Sequence, residues 1–316
     1  MSAVPALNDL FDQRLEFPHI QAKQRYQQLV GLDEHKERLS KILTMLVHPA
    51  ALNAWFETHH PGAEELRTTI LRRPPLVILA GDVGSGKTEL AETIGDAIAR
   101  HHRTHITLLP LSLSSRGQGR VGEMTQLITT AFDQAIEEAR RHRAAKGASG
   151  GVILLVDEAD ALAQSREMAQ MHHEDRAGVN AFIRGVDRIA NVQLPAAVIM
   201  CTNRLSALDP AVRRRAADIL TFERPNDVQR ERVLTDRLGD LGFSSTDIKL
   251  LVQVTGHNRP EQIGFTFSDL TQRLIPAIVL DAFPHRRVTA ARALEIGRTM
   301  VPTPRFQDGA IPGAAS

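Results

Sequence analysis

The sequence predicts an α/β fold: a five-stranded parallel P-loop sheet flanked by helices, followed by a small all-helical lid domain. Three observations carry this expectation. Short apolar runs alternate with helical segments over residues 76–222, and strands alternating with helices pair in parallel through right-handed crossovers. The first run leads directly into Gly81-Asp82-Val83-Gly84-Ser85-Gly86-Lys87-Thr88, a Gly-x4-Gly-Lys-Thr phosphate loop with every required position filled. From Asn226 onward strand signals vanish and amphipathic helices take over.

The elements follow in order. Residues 1–28 mix Pro, Gln and charge without firm periodicity and read as a loosely packed N-terminal arm. Helical patterning begins near Asp33, with Leu32, Leu39, Ile42, Leu43 and Leu46 on one face. It stops at His48-Pro49, and a second helix is expected over Ala50 to Thr58. The strands are Leu76–Ala80, Ile106–Leu111, Val152–Val156, Ala197–Cys201 and Asp218–Phe222, the last after a short basic helix. Lys87 to Arg100 reads as a helix, and Arg140 to Gly151 as a basic, Gly-rich surface loop. The expected boundaries are an arm at 1–28, a large α/β domain at 29–224, the helical lid at 225–301 and a disordered tail at 302–316.

Composition narrows the function. A 316-residue chain is long enough for two domains of ~150 residues each. Its net charge of +1 supplies no bulk pull toward nucleic acid or an anionic membrane. One Trp, one Tyr and 11 Phe leave little for an aromatic base-stacking platform. The single Cys201 excludes an intrachain disulfide and a cysteine-based zinc module, and reads as a packed core thiol. No apolar run reaches the ~18 residues of a membrane helix, and the N-terminus carries acids where a signal peptide needs a basic start. A cytoplasmic protein is expected.

The chemistry lies in four segments. Glycines let the backbone N–H groups of the phosphate loop close around β- and γ-phosphates at a helix N-terminus. Lys87 adds a point charge there, and the Thr88 hydroxyl is suited to Mg²⁺, so the ligand is a nucleoside triphosphate with its metal. Next, Val152-Ile153-Leu154-Leu155-Val156-Asp157-Glu158 is an apolar strand ending in two acids, which it delivers to the carboxyl edge of the sheet. Asp157 is expected in the Mg²⁺ shell and Glu158 as the group that polarises the attacking water. A third strand brings Asn203 to the same edge, where its amide suits the water or the γ-phosphate. Finally, Leu208-Asp209-Pro210-Ala211-Val212-Arg213-Arg214-Arg215 puts three arginines at one helix end. Arg214 or Arg215, presented to a neighbouring subunit's γ-phosphate, would act as a trans arginine finger, and that requires a ring.

In this order of segments the chain resembles the AAA+ ATPases, in the AAA branch of ring-forming remodellers, over roughly residues 28 to 283. The resemblance implies ATP and Mg²⁺ as cofactors and a homohexamer. It places Val30 and Gly31 against adenine, Glu89 beside Thr88 in the nucleotide site, and Gly264 at the start of the lid segment facing the nucleotide. Phe267 stands where the family has a second glycine, and Arg273 is the candidate for a lid arginine. The segment Gly119-Arg120-Val121-Gly122-Glu123 is similar to the substrate-gripping pore loop, with Arg120 in the place of an aromatic. Arg120, Val121 and Gly122 are therefore candidate substrate contacts, and Arg offers a flat charged face on a long apolar stem. A second pore loop is expected from Gln164 to Arg176; its His172-His173 pair has no third ligand nearby and reads as solvated.

Ala177-Gly178-Val179-Asn180-Ala181-Phe182 to Asp187 resembles a helix of the pachytene-checkpoint type, the remodellers of HORMA-domain proteins. Short bacterial members of that type belong to anti-phage signalling systems, so a HORMA-domain protein is the implied partner. Two alternatives stay open. A general AAA chaperone or unfoldase would want an aromatic pore loop, and a protease partner a hydrophobic docking tail, whereas residues 310–316 read Ala-Ile-Pro-Gly-Ala-Ala-Ser. A DNA-linked loader would want a basic excess, for which only Arg140–Lys146 and His285-Arg286-Arg287 speak. Membranes and nucleic acid are not expected partners.

Overall fold

The computed structural model describes residues 11, 14–113, 123–144, 150–162, 173–257 and 263–305. Its strands are β1 (Leu15–Phe17), β2 (Leu76–Gly81), β3 (His105–Ser112), β4 (Gly150–Asp157), β5 (Ala196–Thr202) and β6 (Ala216–Phe222). They form one sheet in the order β1-β3-β4-β5-β2-β6. The pairs β3–β4, β4–β5 and β2–β5 are parallel. All five expected strands are present, and β4 and β5 are almost wholly buried, as parallel strands covered on both faces must be. The helices are α1 (Ile20–Gln28), α2 (Asp33–Val47), α3 (Pro49–His59), α4 (Glu64–Leu71), α5 (Lys87–His102), α6 (Glu123–Ala144), α7 (His173–Val192), α8 (Pro210–Arg213), α9 (Asp227–Leu238), α10 (Ser245–Val254), α11 (Ile275–Ala282) and α12 (Ala290–Thr299).

Three expectations are corrected. The sheet is mixed and six-stranded, because β1 of the arm pairs antiparallel with β3, Glu16 opposite Thr107. Three residues are too few to show a strand period, and tertiary contacts decide the outcome. Phe17 is 1% exposed, the Glu16 carboxylate accepts from Thr107 Oγ1 at 3.0 Å, and Arg14 reaches Glu138 at 2.8 Å. Leu15–Phe17 is thus docked onto the edge of β3, which it covers.

The described residues of the expected basic loop at Arg140–Gly151 are helix and strand. Helix α6 runs to Ala144 and β4 starts at Gly150. Arg and Ala are strong helix formers, and Arg141 lies within ion-pair distance of Glu137 and Glu138 one turn back. The first residues of the expected disordered tail are ordered. Thr303 donates from its N–H and hydroxyl to the buried Asp269 at 3.0 and 2.7 Å, so Pro302–Arg305 is held in place.

The chain divides into two compact units. The first comprises Met1–Gln28, Glu34–Ala80 and Thr88–Thr221. Its core is the sheet with the helices packed on it, including an edge-to-face contact of Phe132 with Phe182 at 5.5 Å between ring centroids. The second comprises Leu29–Asp33, Gly81–Lys87 and Phe222–Ser316. It is built on Leu234, Leu238, Leu251, Phe265, Leu270 and Leu274. Capping boxes at Asn226/Gln229 and Ser244/Asp247 open α9 and α10.

Candidate functional site

In the second unit the phosphate loop is shaped by its glycines. Gly84 and Gly86 have φ of 74° and 95°, values that favour a residue without Cβ. A Cβ on Gly84 would come within 2.8 Å of both Thr266 and Ser268, and one on Gly81 would collide with the Phe222 carbonyl. Lys87 is 6% exposed. Its ammonium donates to the carbonyls of Gly81 and Asp82, both at 2.8 Å, so the charge is held inside the loop it serves.

The same unit gathers the other expected nucleotide contacts. Val30 packs against the unit's apolar core. Gly31 has φ of 76°, and its carbonyl accepts from Gln229 Nε2 at 2.6 Å. The Gly264 carbonyl accepts from Arg224 at 2.7 Å, and Ser268 N–H donates to the Gly84 carbonyl at 3.1 Å. Of these, Ser268 touches the loop directly. Arg273 does not join them. Its guanidinium is bound to Asp269 at 2.6 Å and to the Val301 carbonyl at 3.0 Å, which leaves it holding the C-terminal segment.

In the first unit β2, β4 and β5 end in register, with Ala80 beside Thr202 and Val156 beside Met200. Asp157 and Asn203 therefore emerge at one edge. Thr88, in the first turn of α5, donates from Oγ1 to Asp157 Oδ1 at 3.3 Å. A hydroxyl and a carboxylate oxygen so close make a hard oxygen donor pair of the kind Mg²⁺ takes. Glu158 is exposed and has φ of 53°, a left-handed backbone that costs a non-glycine residue about 1–3 kcal/mol. Such strain gathers at functional positions. Glu89, expected in the nucleotide site, has its carboxylate gripped by Arg25 of α1 through two bonds of 2.7 Å. These bonds raise the Arg25 guanidinium above its usual range against the cost of burial, with Glu92 adding to the effect.

Asp160 is the residue that sequence reasoning missed. It accepts from Thr202 Oγ1 at 2.6 Å, from Asn203 N–H at 3.1 Å and from Asn203 Nδ2 at 3.0 Å. A carboxylate only accepts, so the Asn203 amide must turn its NH₂ toward Asp160 and its Oδ1 away. The one signal in the sequence was a third acid in Asp157-Glu158-Ala159-Asp160. Asp160→Ala is expected to lower kcat of ATP hydrolysis by about 10²-fold, and to cost nothing further in an Asn203→Ala background. Additive losses in that double-mutant cycle would show that Asp160 does not act through Asn203.

The three arginines separate clearly. Arg215 makes a two-point ion pair with Asp187 at 2.7 and 2.9 Å and also donates to the Ala211 carbonyl. Arg213 Nε is buried without a partner among the described residues. Arg214 is the exposed one. Cys201 is buried, as expected of a core thiol. Arg120, Val121, Gly122 and positions 164–172 of the second pore loop lie outside the described residues. Among the described residues there is no cluster of three or more His, Cys, Asp or Glu fit for a metal ion. No helix among them is long and apolar enough to cross a membrane.

The chain is similar to known proteins. The model of the ATPase family associated with various cellular activities (AAA) matches residues 77–224. CD-NTase-associated protein 6 of Escherichia coli (strain MS 115-1) is 62% identical over 98% of this chain and 99% of its own length. A chain in the solved structure of the E. coli MS115-1 HORMA:CdnC:Trip13 complex superposes with a TM-score of 0.89 at 61% identity, covering 96% of this chain and 100% of that one. The structure of Rhizobiales Trip13 follows with a TM-score of 0.72 at 54% identity, over 93% and 99% of the two chains.

Proposed function

The chain belongs to the AAA family of ATPases, and from that membership we propose that it is a cytoplasmic, ring-forming remodeller driven by ATP. Its substrate is a HORMA-domain signalling protein of a bacterial anti-phage system, which it disassembles or converts. Nucleotide binding and ATPase activity come with the family. The observation that carries the rest is the end-to-end likeness, at 61% identity, to a chain solved in a complex with HORMA and CdnC components.

Each residue has a part in this proposal. The backbone of Gly81–Gly86 and the Lys87 ammonium hold the phosphates. Thr88 Oγ1 and Asp157 would hold Mg²⁺, which when bound neutralises phosphate charge. Glu158 takes the proton of the attacking water. Asn203, held by Asp160, presents Oδ1 as a second acceptor for that water. Arg214 reaches the γ-phosphate of the adjacent subunit in a homohexamer. Arg120, Val121 and Gly122 grip the substrate in the pore.

The test is a substrate trap. Glu158→Gln protein loaded with Mg·ATP in lysate of the native host is expected to retain one HORMA-like protein, released when ATP is withheld. A heterogeneous mixture of unfolded chains would make it a general unfoldase instead. Nuclease-sensitive recovery of DNA-bound proteins would make it a loader.

A further inference from the structure

The second residue of the phosphate loop is an acid, Asp82, in a loop built to hold anions. Its carbonyl is 2.8 Å from the Lys87 ammonium, so Asp82 is part of the loop that holds that charge and its carboxylate adds a negative charge within one side-chain length of it. An unneutralised carboxylate there would repel the ligand. Arg224 answers it. The Arg224 side chain is 5% exposed, and its Nε donates to Asp82 Oδ2 at 2.7 Å. The guanidinium is fixed from behind by two carbonyls: Nη1 donates to Gly264 O at 2.7 Å and to Thr303 O at 2.8 Å. Its Nη2 is buried with no partner among the described residues, which leave that end of the group unsatisfied.

We infer that Arg224 is a positioning residue of the nucleotide site: it is the counter-ion that makes an acidic phosphate loop competent to bind a nucleotide. The inference rests on the proposed ATPase reading of that loop. Arg224 acts through Asp82. It cancels the charge, fixes the first turn of the loop against the lid segment at Gly264, and is itself held by the C-terminal segment at Thr303. A purely structural arginine would be indifferent to the charge of its partner, whereas a counter-ion is needed only while the acid is there.

Charge rescue tests this. Affinity for a fluorescent N-methylanthraniloyl ADP would be measured on the full chain for Arg224→Ala, Asp82→Ala and the double variant. Arg224→Ala is expected to weaken binding by about tenfold or more, because a part-buried carboxylate in the phosphate loop is left without its counter-ion. Asp82→Ala should bind about threefold more tightly, since the Arg224 charge is then left to the phosphates. The double variant should regain most of the loss. A double variant as weak as Arg224→Ala would overturn the inference, and so would a tenfold loss in Asp82→Ala alone. Should Arg224→Ala fail to fold, Arg224→Lys decides. It keeps the charge and is expected to bind within about threefold of the unsubstituted chain, and a collapse of its affinity would refute the counter-ion role. Lack of binding by the unsubstituted chain would overturn the ATPase reading itself, an outcome distinct from failed rescue.

Discussion

An Arg214→Ala chain is expected to lose steady-state ATP turnover by about 10³-fold or more while still holding nucleotide within about threefold of the unsubstituted protein. The size follows from what a finger does: it meets charge that develops on the transferring phosphoryl group and contributes little to ground-state binding. Three consecutive arginines look equivalent in the sequence. The structure separates them, because Arg215 is bound at two points to Asp187 in its own chain while Arg214 is exposed. Arg215→Ala is therefore expected to disturb the packing of α8 on α7 rather than chemistry alone.

Mixing checks the trans action. Neither Arg214→Ala nor Lys87→Ala should turn over ATP by itself. A head-to-tail ring assembled from equal parts of the two should regain about a quarter of its sites, where an intact phosphate loop meets an intact finger. Mixtures that stay inactive would place Arg214 in its own subunit's chemistry. Equal loss of binding and turnover in Arg214→Ala would remove the finger assignment altogether.

Glu158→Gln should lower turnover by about 10²–10⁴-fold, the range that removal of a general base costs. Gln has nearly the shape of Glu and is no better or worse suited to the left-handed backbone at this position, φ of 53°. What changes is that an amide takes no proton from water. Nucleotide recovered after rapid desalting distinguishes the cases: ATP is expected from Glu158→Gln and ADP from the unsubstituted protein. Recovery of ADP, with turnover within about threefold of normal, would assign the base to another residue.

Much of this molecule was legible because its signals are local. The Gly-x4-Gly-Lys-Thr loop, the five apolar strands and the acids ending β4 each lie within a few consecutive residues, so chain chemistry alone specifies them. The sixth strand was not legible, since Leu15–Phe17 has no period to read and is held by Thr107 and Ile106, with Glu138 holding the neighbouring Arg14, all from elsewhere in the chain. The basic stretch after Arg140 looked like a loop because Gly147, Gly150 and Gly151 dominate its end. Its first half nevertheless continues α6 through pairing with Glu137 and Glu138.

The same division runs through the site. Lys87, Thr88, Asp157, Glu158 and Asn203, the residues proposed for the site, could be placed from the sequence because each stands at a strand end or in a motif whose backbone dictates its place. Their partners could not. Asp160 finds Asn203 across 43 residues, Arg25 finds Glu89 across 64, and Arg224 finds Asp82 across 142. The choice of Arg214 over Arg215 also depends on Asp187, 28 residues upstream of Arg215. Backbone motifs are written in adjacent residues because phosphates are bound by consecutive N–H groups. The ion pairs and hydrogen bonds that orient those motifs depend on which surfaces the packed core brings together, and that is decided only when the chain has folded.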